Sequence, residues 1–184
     1  MKIVVGISGA SGSIYAKVFL DMLLQAKDQI EEVALVFSKN AKMVWEHELE
    51  NDAYKNYPFK VYEAMDFMAP FASGSAKFEH MVIIPCSMGT MGRIAHGLSN
   101  DLMSRAADVI LKEKRQLILC IRDTPYNLIH IKNMELLSLA GATIMPASPS
   151  FYSMPKNFED LAKTVCARVI DQLGINLDAY RWGE

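Results

Sequence analysis

The sequence has few cysteines, and none is placed to share a disulfide or a metal ion. Its 184 residues contain three cysteines, Cys86, Cys120 and Cys166, and no C-x-x-C pair. This spacing indicates neither a disulfide framework nor a zinc site. The four histidines also lack the H-E-x-x-H spacing of a metalloprotease. We therefore predict that no metal is bound, and reduced thiols favour a cytoplasmic location.

An excess of charge of either sign is also missing. Lysine and arginine together number 19 and aspartate and glutamate 21, which gives a formal net charge of −2. Such a balance provides no basic surface for general binding of nucleic acid. The sequence lacks the run of about 18 apolar residues that a membrane span needs. Glycines interrupt the first apolar run too early for a signal peptide. We therefore expect that the protein does not bind nucleic acid and has no membrane span.

Apolar residues are present in the proportion that a packed core requires. They make up 51% of the sequence, against 22% charged residues, which excludes an intrinsically disordered chain. A chain of this length buries about 70% of the surface that it exposes when unfolded. We predict one domain over residues 1–184.

Short β-rich runs alternate with amphipathic segments along the chain. Strands are predicted at residues 2–7, 33–37, 81–84, 117–121 and 142–145, with a short one within 52–71. Helices are predicted at 13–26, 40–50, 88–97, 101–112, 128–140 and 158–173, with Asn100 and Asn157 as N-caps. This alternation predicts an α/β fold, a doubly wound (Rossmann/flavodoxin-like), mostly parallel sheet with helices on both faces. Ligands of such sheets bind beyond the carboxyl ends of the strands.

The turn at residues 6–12 joins the first predicted strand to the first helix. Its glycines let the backbone approach an anion, and the helix N-terminus supplies N–H groups, which favours a phosphate over a plain turn. The spacing is G-x-x-G-x-x-G, and the second strand ends at Ser38, where a dinucleotide site usually has an acid. Both features argue against NAD. Ser38 itself contacts a ligand or caps the next helix.

Two charged residues border the apolar faces of predicted helices, with Glu48 on the stripe itself and Arg168 at the edge. Glu48 follows Val44 by four positions and Trp45 by three. It is either a pocket carboxylate, with a pKa raised by burial for proton exchange, or an acid facing water. Arg168 follows Val165 by three positions. It either binds an anion or pairs with a nearby acid.

Taken together, these segments resemble the flavin prenyltransferases, the UbiX-type proteins of the wider group of homo-oligomeric flavin-containing cysteine decarboxylases. The resemblance runs nearly end to end. It rests on residues 6–12, 38–39, 73–75, 85–90, 105–113, 122–125, 129–130, 133–134, 151–152, 168 and 181–184. The run at 105–113, followed by Arg122 ten residues after Lys112, is the most specific of these.

The resemblance implies a reaction and an assembly. Reduced FMN would attack C1 of dimethylallyl phosphate through its N5 atom, and a second bond to flavin C6 would close a fourth ring. The family needs no metal and builds its site between the subunits of a homo-oligomer, a dodecamer. The product, prenylated FMN, would serve a decarboxylase of the UbiD type.

The resemblance also assigns roles to individual residues. The implied FMN-binding residues are Gly9, Ala10, Ser11, Ser38, Ser87, Met88, Gly89, Thr90 and Arg122. The implied ligands of the prenyl phosphate are Lys112, Tyr152 and Arg168. Glu48 and Asp123 are the implied catalytic residues, with Glu48 aiding proton transfer during ring closure. Asp123 is one methylene shorter than the family's usual glutamate. Trp182 is a candidate for the apolar aromatic pocket that holds an allylic cation.

Two other classes of protein share parts of this pattern. One is an FMN-dependent cysteine-type decarboxylase, but the loop at residues 146–152 lacks the asparagine of those enzymes. The other is a non-catalytic FMN-binding accessory subunit of an aromatic-acid decarboxylase. Such a subunit would need none of Glu48, Lys112, Tyr152 and Arg168, so their joint presence favours the prenyltransferase.

Overall fold

Strands and helices alternate along the chain in the order that the apolar pattern predicts. The computed structural model describes residues 1–181 and 183, so Trp182 lies outside the described residues. The described strands are β1 Lys2–Ile7, β2 Glu32–Phe37, β3 Lys60–Tyr62, β4 His80–Cys86, β5 Gln116–Ile121 and β6 Thr143–Pro146. The described helices are α1 Ser13–Gln25, α2 Ala41–Leu49, α3 Met88–Ala95, α4 Leu102–Lys112, α5 Leu128–Leu139 and α6 Phe158–Gln172.

All of the described strand pairs are parallel, in the order β3-β2-β1-β4-β5-β6. The chain therefore runs outward from β1 to β3, returns to β4 at the other side of β1, and continues to β6. The strand order reverses between β1 and β4, and a crevice opens beyond the carboxyl ends of two such strands. The predicted doubly wound α/β fold is confirmed.

Side chains of each strand alternate between two apolar layers because a strand has a period of two. In β1, Ile3 and Val5 point to the layer that contains α1, α2 and α6, whereas Val4 points to the layer of α3 and α4. All three side chains are fully buried. Helices thus cover both faces of the sheet, as the sequence predicts.

Polar side chains fix where several helices begin. Asn157 caps α6 as predicted, with its side chain accepting a hydrogen bond from Asp160 N. The prediction of Asn100 as the cap of α4 is wrong by one residue. Asp101 Oδ1 accepts from Ser104 N at 2.7 Å, and Ser104 Oγ accepts from Asp101 N in return. This reciprocal capping box satisfies two helix-end donors at once, which a cap at Asn100 would not do.

Among residues 1–181 and 183, no helix is long and apolar enough to cross a bilayer.

Candidate functional site

One buried hydroxyl joins the two loops that border the crevice between β1 and β4. Ser8 Oγ donates to Pro85 O at 2.7 Å and accepts from Ser87 N at 2.9 Å. Ser8 is 2% exposed. It holds the turn after β1 against the start of α3, so the two loops form one rim. Ser8 is not among the residues to which the resemblance assigns a role, although its position as a small hydroxyl residue directly after β1 pointed to one.

The start of α3 presents backbone to the crevice. Ser87 Oγ accepts from Thr90 N at 3.2 Å and donates to Thr90 Oγ1 at 3.0 Å, so the two hydroxyls are engaged with each other. Met88 and Thr90 are buried, whereas Gly89 is exposed. A Cβ on Gly89 would meet no heavy atom within 4 Å. This open face is suited to a ligand that approaches the first turn of the helix.

The turn after β1 also lies close to the turn after β2. A Cβ on Gly9 would lie 2.9 Å from Asn40 Cβ, so only glycine allows this approach. Ser38 N donates to Ile7 O at 2.9 Å, which holds the two turns side by side. Asn40 precedes α2, and no side chain of the described residues caps that helix. The side chain of Ser38 therefore does not cap α2. It is half-buried and stays available to a ligand.

The carboxylate of Glu48 binds the N-terminus of α1. Its Oε2 atom accepts from Gly12 N at 2.9 Å and from Ser13 N at 2.7 Å. Glu48 lies near the end of α2, and its side chain thereby links α2 to the turn after β1. The first N–H groups of a helix have no partner within the helix, and its dipole attracts negative charge there. Glu48 thus faces a neighbouring helix rather than water.

The predicted increase in the pKa of Glu48 is wrong. Partial burial raises the pKa of this carboxyl. Hydrogen bonds from Ser11, Ser13 and Gly12 together lower it by more than burial raises it, so the pKa lies below its ordinary value of 4.5. Hydrogen bonds donated to a carboxylate favour its charged form. Glu48 is therefore ionised at neutral pH.

The same contacts change the expectation of a phosphate at the turn over residues 6–12. The N–H groups of Gly12 and Ser13 are among those that a helix start offers to an anion. Both already donate to Glu48. The part of this rim that is left for a ligand comprises residues 9–11, Ser38 and the start of α3.

Arg122 and Asp123 follow β5 directly, and only Arg122 lies against the rim. The Cγ atom of Arg122 is 3.9 Å from the position of a Cβ on Gly12, and Arg122 N donates to Cys86 O at 3.1 Å. Asp123 is exposed, and its Oδ1 accepts from Thr124 N at 2.8 Å. The structure thus brings the alkyl part of the Arg122 side chain to the crevice and leaves Asp123 in the loop beyond it.

A cavity of about 1020 Å³ opens beyond the carboxyl end of β6 and contains both Tyr152 and Arg168. It lies between the loop after β6, the helix α6 and residues 178–181. Tyr15, on the first turn of α1, donates from its hydroxyl to Ala147 O at 3.3 Å. The side chain of Tyr15 also lies against Gly12, so this tyrosine connects the rim to the loop after β6 that borders the cavity.

Basic side chains outnumber acidic ones around this cavity. Arg168 Nη1 donates to Asp171 Oδ2 at 2.6 Å, and Arg181 Nη2 donates to Asp171 Oδ1 at 3.2 Å. Arg168 therefore pairs with an acid and still lines the cavity, with 64% of its side chain exposed. The basic residues of the lining are Lys156, Lys163, Arg168 and Arg181, and the acidic ones are Asp160, Asp171 and Asp178. Guanidinium groups in this setting suit a phosphate.

Lys112 does not reach this cavity within one chain. It ends α4, shortly before Gln116 at the start of β5, and Gln116 pairs with His80 at the start of β4. Lys112 therefore lies at the amino edge of the sheet, opposite to the rim. Its Nζ pairs with Glu113 Oε1 at 2.7 Å and lies 2.9 Å from the position of a Cβ on Gly74. The prediction that Lys112 joins Tyr152 and Arg168 is not met by a single copy.

Metal-binding and thiol chemistry have no counterpart among these side chains. In the part of the chain that the structure describes, no group of three or more His, Cys, Asp or Glu side chains could hold a metal ion. Cys86, Cys120 and Cys166 are buried and unpaired. Burial raises the pKa of Cys120 to about 12 and also raises the pKa of Cys86. These thiols are neutral core residues.

Both the sequence and the fold of this chain are similar to those of known flavin-binding proteins. A family described as Flavoprotein matches residues 1–170. A flavin prenyltransferase UbiX of Methanocaldococcus jannaschii is 47% identical, with the alignment covering 100% of this chain and 99% of that protein. A solved dodecameric FMN-dependent UbiX-like decarboxylase of Escherichia coli O157:H7 is 38% identical, with a TM-score of 0.94 and both chains fully covered. AnUbiX, solved in complex with FMN and dimethylallyl pyrophosphate, is 34% identical, with a TM-score of 0.90 over 100% of this chain and 98% of that one.

The lowered pKa of Glu48 predicts how stability depends on pH. A carboxyl with a lowered folded-state pKa stabilises the fold above its ordinary pKa of 4.5, and this contribution is lost as the pH falls through the folded-state value. The substitution Glu48→Gln removes the ionisable group. At neutral pH, the variant should be less stable than the wild type in urea unfolding. The difference should shrink as the pH is lowered below 4.5. A difference that is constant or grows toward acid pH would contradict the account of Glu48.

Proposed function

The chain belongs to the flavin prenyltransferases of the UbiX type, within the Flavoprotein family, and from this membership we propose how its residues divide the reaction. It is an enzyme that transfers a dimethylallyl group to reduced FMN. We propose dimethylallyl phosphate as the donor. The observation that carries the assignment of roles is the presence of two separate features that Tyr15 connects: a glycine-rich rim and a cavity lined by Tyr152 and Arg168.

The rim holds the flavin in this proposal. Reduced FMN, when bound, supplies the nucleophilic ring atoms that accept the prenyl group. Gly89 leaves space beside the first turn of α3, and Gly9 allows the turns after β1 and β2 to meet. The alkyl stem of Arg122 lies beside Gly12, and its guanidinium adds a cation to the rim in this proposal. The residues that would hold FMN are Gly9, Ala10, Ser11, Ser38, Ser87, Met88, Gly89, Thr90 and Arg122.

The cavity holds the phosphate of the donor. Arg168 and Arg181 share Asp171, so two guanidinium groups are held close together by one carboxylate. As the allylic C–O bond breaks, negative charge grows on the leaving phosphate. Cations and a phenol donor that are already in place stabilise this charge without reorganising. Arg168 provides a planar pair of N–H donors and Tyr152 a hydroxyl donor.

In the proposed reaction, Glu48 is the proton acceptor. Its carboxylate is ionised and fixed in position by the N–H groups of Gly12 and Ser13. A fixed anion beside the flavin site stabilises positive charge on the allylic carbon and accepts the proton that is lost at ring closure. Asp123 is the second catalytic residue in this proposal. It follows Arg122 in the chain, and one of its oxygens is tethered by Thr124 N.

The phosphate site is completed by a neighbouring copy. Lys112 and the turn at residues 73–75 lie at the edge of the sheet opposite to the cavity. Lys112 meets a phosphate held by Arg168 only where the amino edge of one copy faces the cavity of another. We propose a homododecamer, as in the dodecameric relative, in which Lys112 of one copy binds the phosphate held by its neighbour.

The product has a destination in this proposal. In this proposal, the donor phosphate occupies the anion-binding residues that line the described cavity. We propose that prenylated FMN passes to a decarboxylase of the UbiD type. We propose that the prenyl transfer takes place in the cytoplasm, where unpaired cysteines stay reduced.

Anaerobic incubation with reduced FMN and dimethylallyl phosphate tests the function directly. The wild type should yield a flavin whose mass has increased by one five-carbon prenyl unit. Glu48→Gln should slow formation of the ring-closed product by about two to four orders of magnitude, as expected for a lost general base. Because the neutral amide oxygen accepts more weakly from Gly12 and Ser13 than the carboxylate does, stability should fall as well.

Glu46→Gln is the matched control for this assay. It removes a carboxylate of the same helix that accepts from the Tyr54 hydroxyl, away from the rim, and should turn over at the wild-type rate. Dimethylallyl pyrophosphate is tested in parallel to compare the two donors. Unmodified flavin with the wild-type protein and either donor would contradict the function. Release of carbon dioxide from a cinnamic acid by the protein alone would favour the decarboxylase class instead.

A complementation test distinguishes a shared phosphate site from a site within one chain. Lys112→Ala and Arg168→Ala should each be inactive when expressed alone. When the two are co-expressed in mixed assemblies, a shared site predicts recovery of about a quarter of the wild-type activity, because some cavities then combine an intact Arg168 with an intact neighbouring Lys112. If both residues act within one chain, every site keeps one lesion and no activity returns. Co-expression of Lys112→Ala with itself is the control.

A further inference from the structure

Tyr15 contacts both of the features to which the proposed function assigns roles. Its ring lies against the rim, because a Cβ on Gly12 would be 2.9 Å from Tyr15 Cδ2. Its hydroxyl donates to Ala147 O at 3.3 Å, in the loop after β6. Its backbone carbonyl accepts from Cys166 Sγ at 3.3 Å, two positions before Arg168 on α6. One residue thus joins three segments that carry proposed site residues.

The phenol of Tyr15 is the donor in its contact with the loop. A backbone carbonyl can only accept, so the hydroxyl hydrogen is directed at Ala147 O. Tyr15 is half-buried and packs, like Ala147, against the apolar layer of α1, α2 and α6. Burial raises the pKa of Tyr15 above its ordinary value of 10.0. The phenol therefore keeps its proton, and with it this hydrogen bond, throughout the neutral pH range.

Ala147 fixes the start of the loop after β6. Its N–H donates to Ile121 O at 2.8 Å, at the end of β5, and its carbonyl accepts from Tyr15. Five residues further along the chain, Tyr152 lies in a segment, residues 151–154, that is exposed throughout. A segment with little burial is held in place mainly by the points at which the chain on either side is attached. The attachment at Ala147 therefore influences where Tyr152 lies.

A second attachment ties the same loop to α6. Ser150 N donates to Thr164 Oγ1 at 3.0 Å, and Thr164 lines the cavity together with Arg168. The loop is thus bound to α6 through Thr164 and to α1 through Tyr15. Only the second of these two attachments connects the loop to the helix that begins at the rim. Removal of the Tyr15 hydroxyl would leave the loop joined to β5 and α6 but release it from α1.

We propose that Tyr15 is a positioning residue for the prenyl donor, because its hydroxyl holds the loop that carries Tyr152 in its donor-binding position before the donor arrives. This inference rests on the proposed function, in which Tyr152 binds the donor phosphate. Tyr15 acts through the loop and not by touching the donor. Ordering the loop in advance lowers the entropy that donor binding must offset. Loss of the hydroxyl should therefore weaken donor binding and leave the rate of the bound complex unchanged.

The substitution Tyr15→Phe tests this role, since it removes the hydroxyl and keeps the ring against Gly12. Binding of dimethylallyl phosphate is measured by calorimetry on protein loaded with oxidised FMN, so that no prenyl transfer consumes the donor. The Kd of the donor should rise about fivefold, which corresponds to about 1 kcal/mol, the usual size of one neutral hydrogen bond. The Kd of FMN, and kcat with reduced FMN at saturating donor, should stay within about twofold of the wild type.

Tyr57→Phe is the matched control. Its phenol donates to Lys17 O at 3.3 Å and to Asp21 Oδ1 at 2.7 Å, further along α1. Losing two hydrogen bonds, this variant should be destabilised in urea at least as much as Tyr15→Phe, with no change in the Kd of the donor. An unchanged Kd in Tyr15→Phe, or equal increases in both variants, overturns the inference and leaves the proposed function standing. A wild type that does not bind dimethylallyl phosphate contradicts both.

Hydrogen exchange reports on the attachment of the loop without any ligand. The amides of Ala147 and Ser150 are the ones that its two attachments protect. In Tyr15→Phe, peptides that contain these amides should exchange about fivefold faster than in the wild type, as measured by mass spectrometry, because the loop opens more often. In Tyr57→Phe, they should exchange at the wild-type rate. Wild-type exchange of this loop in Tyr15→Phe would show that the hydroxyl does not hold it and would overturn the inference.

Discussion

The contact between the Glu48 carboxylate and the first N–H groups of α1 determines how the rest of the site is arranged. It uses the positive end of α1, which would otherwise be the obvious place for a phosphate. It also keeps the carboxylate ionised and immobile beside the crevice. A phosphate group cannot use these two N–H groups while Glu48 accepts from them, and the described structure offers a cavity with Arg168 and Arg181 for the phosphate of the proposed donor. In the proposed function, the position of this one acid keeps the donor phosphate away from the start of α1.

The rim itself depends on small residues at points of close contact. Ser8 links the loop after β1 to the loop after β4 with hydrogen bonds at 2.7 and 2.9 Å. A larger side chain at Gly9 would collide with Asn40. These contacts make the three turns at the carboxyl edge one rigid border, on which a planar ligand can be positioned without rearrangement. Ordering the border in advance lowers the entropy that binding must offset.

The sequence was sufficient for those features that depend on local pattern. Alternation of apolar runs predicted the order of strands and helices, and the pattern placed Glu48 on an inward face. Arg168, predicted at the edge of an apolar face, is 64% exposed and pairs with Asp171. The pKa of Glu48 was predicted in the wrong direction because its donors, Gly12 and Ser13, lie about 35 residues away along the chain. Lys112 could not be placed from the sequence because the edge at which a helix ends depends on the path of the whole chain. Asp101, rather than Asn100, caps α4 because its partner Ser104 lies at the required spacing.

The most direct test of this account is an experimental structure of the assembled protein with FMN and dimethylallyl phosphate bound. The account predicts that Glu48 still accepts from Gly12 and Ser13, and that the donor phosphate lies against Tyr152 and Arg168 with Lys112 of a neighbouring copy beside it. A donor phosphate on the N–H groups of Gly12 and Ser13, with the Glu48 carboxylate displaced, would contradict it.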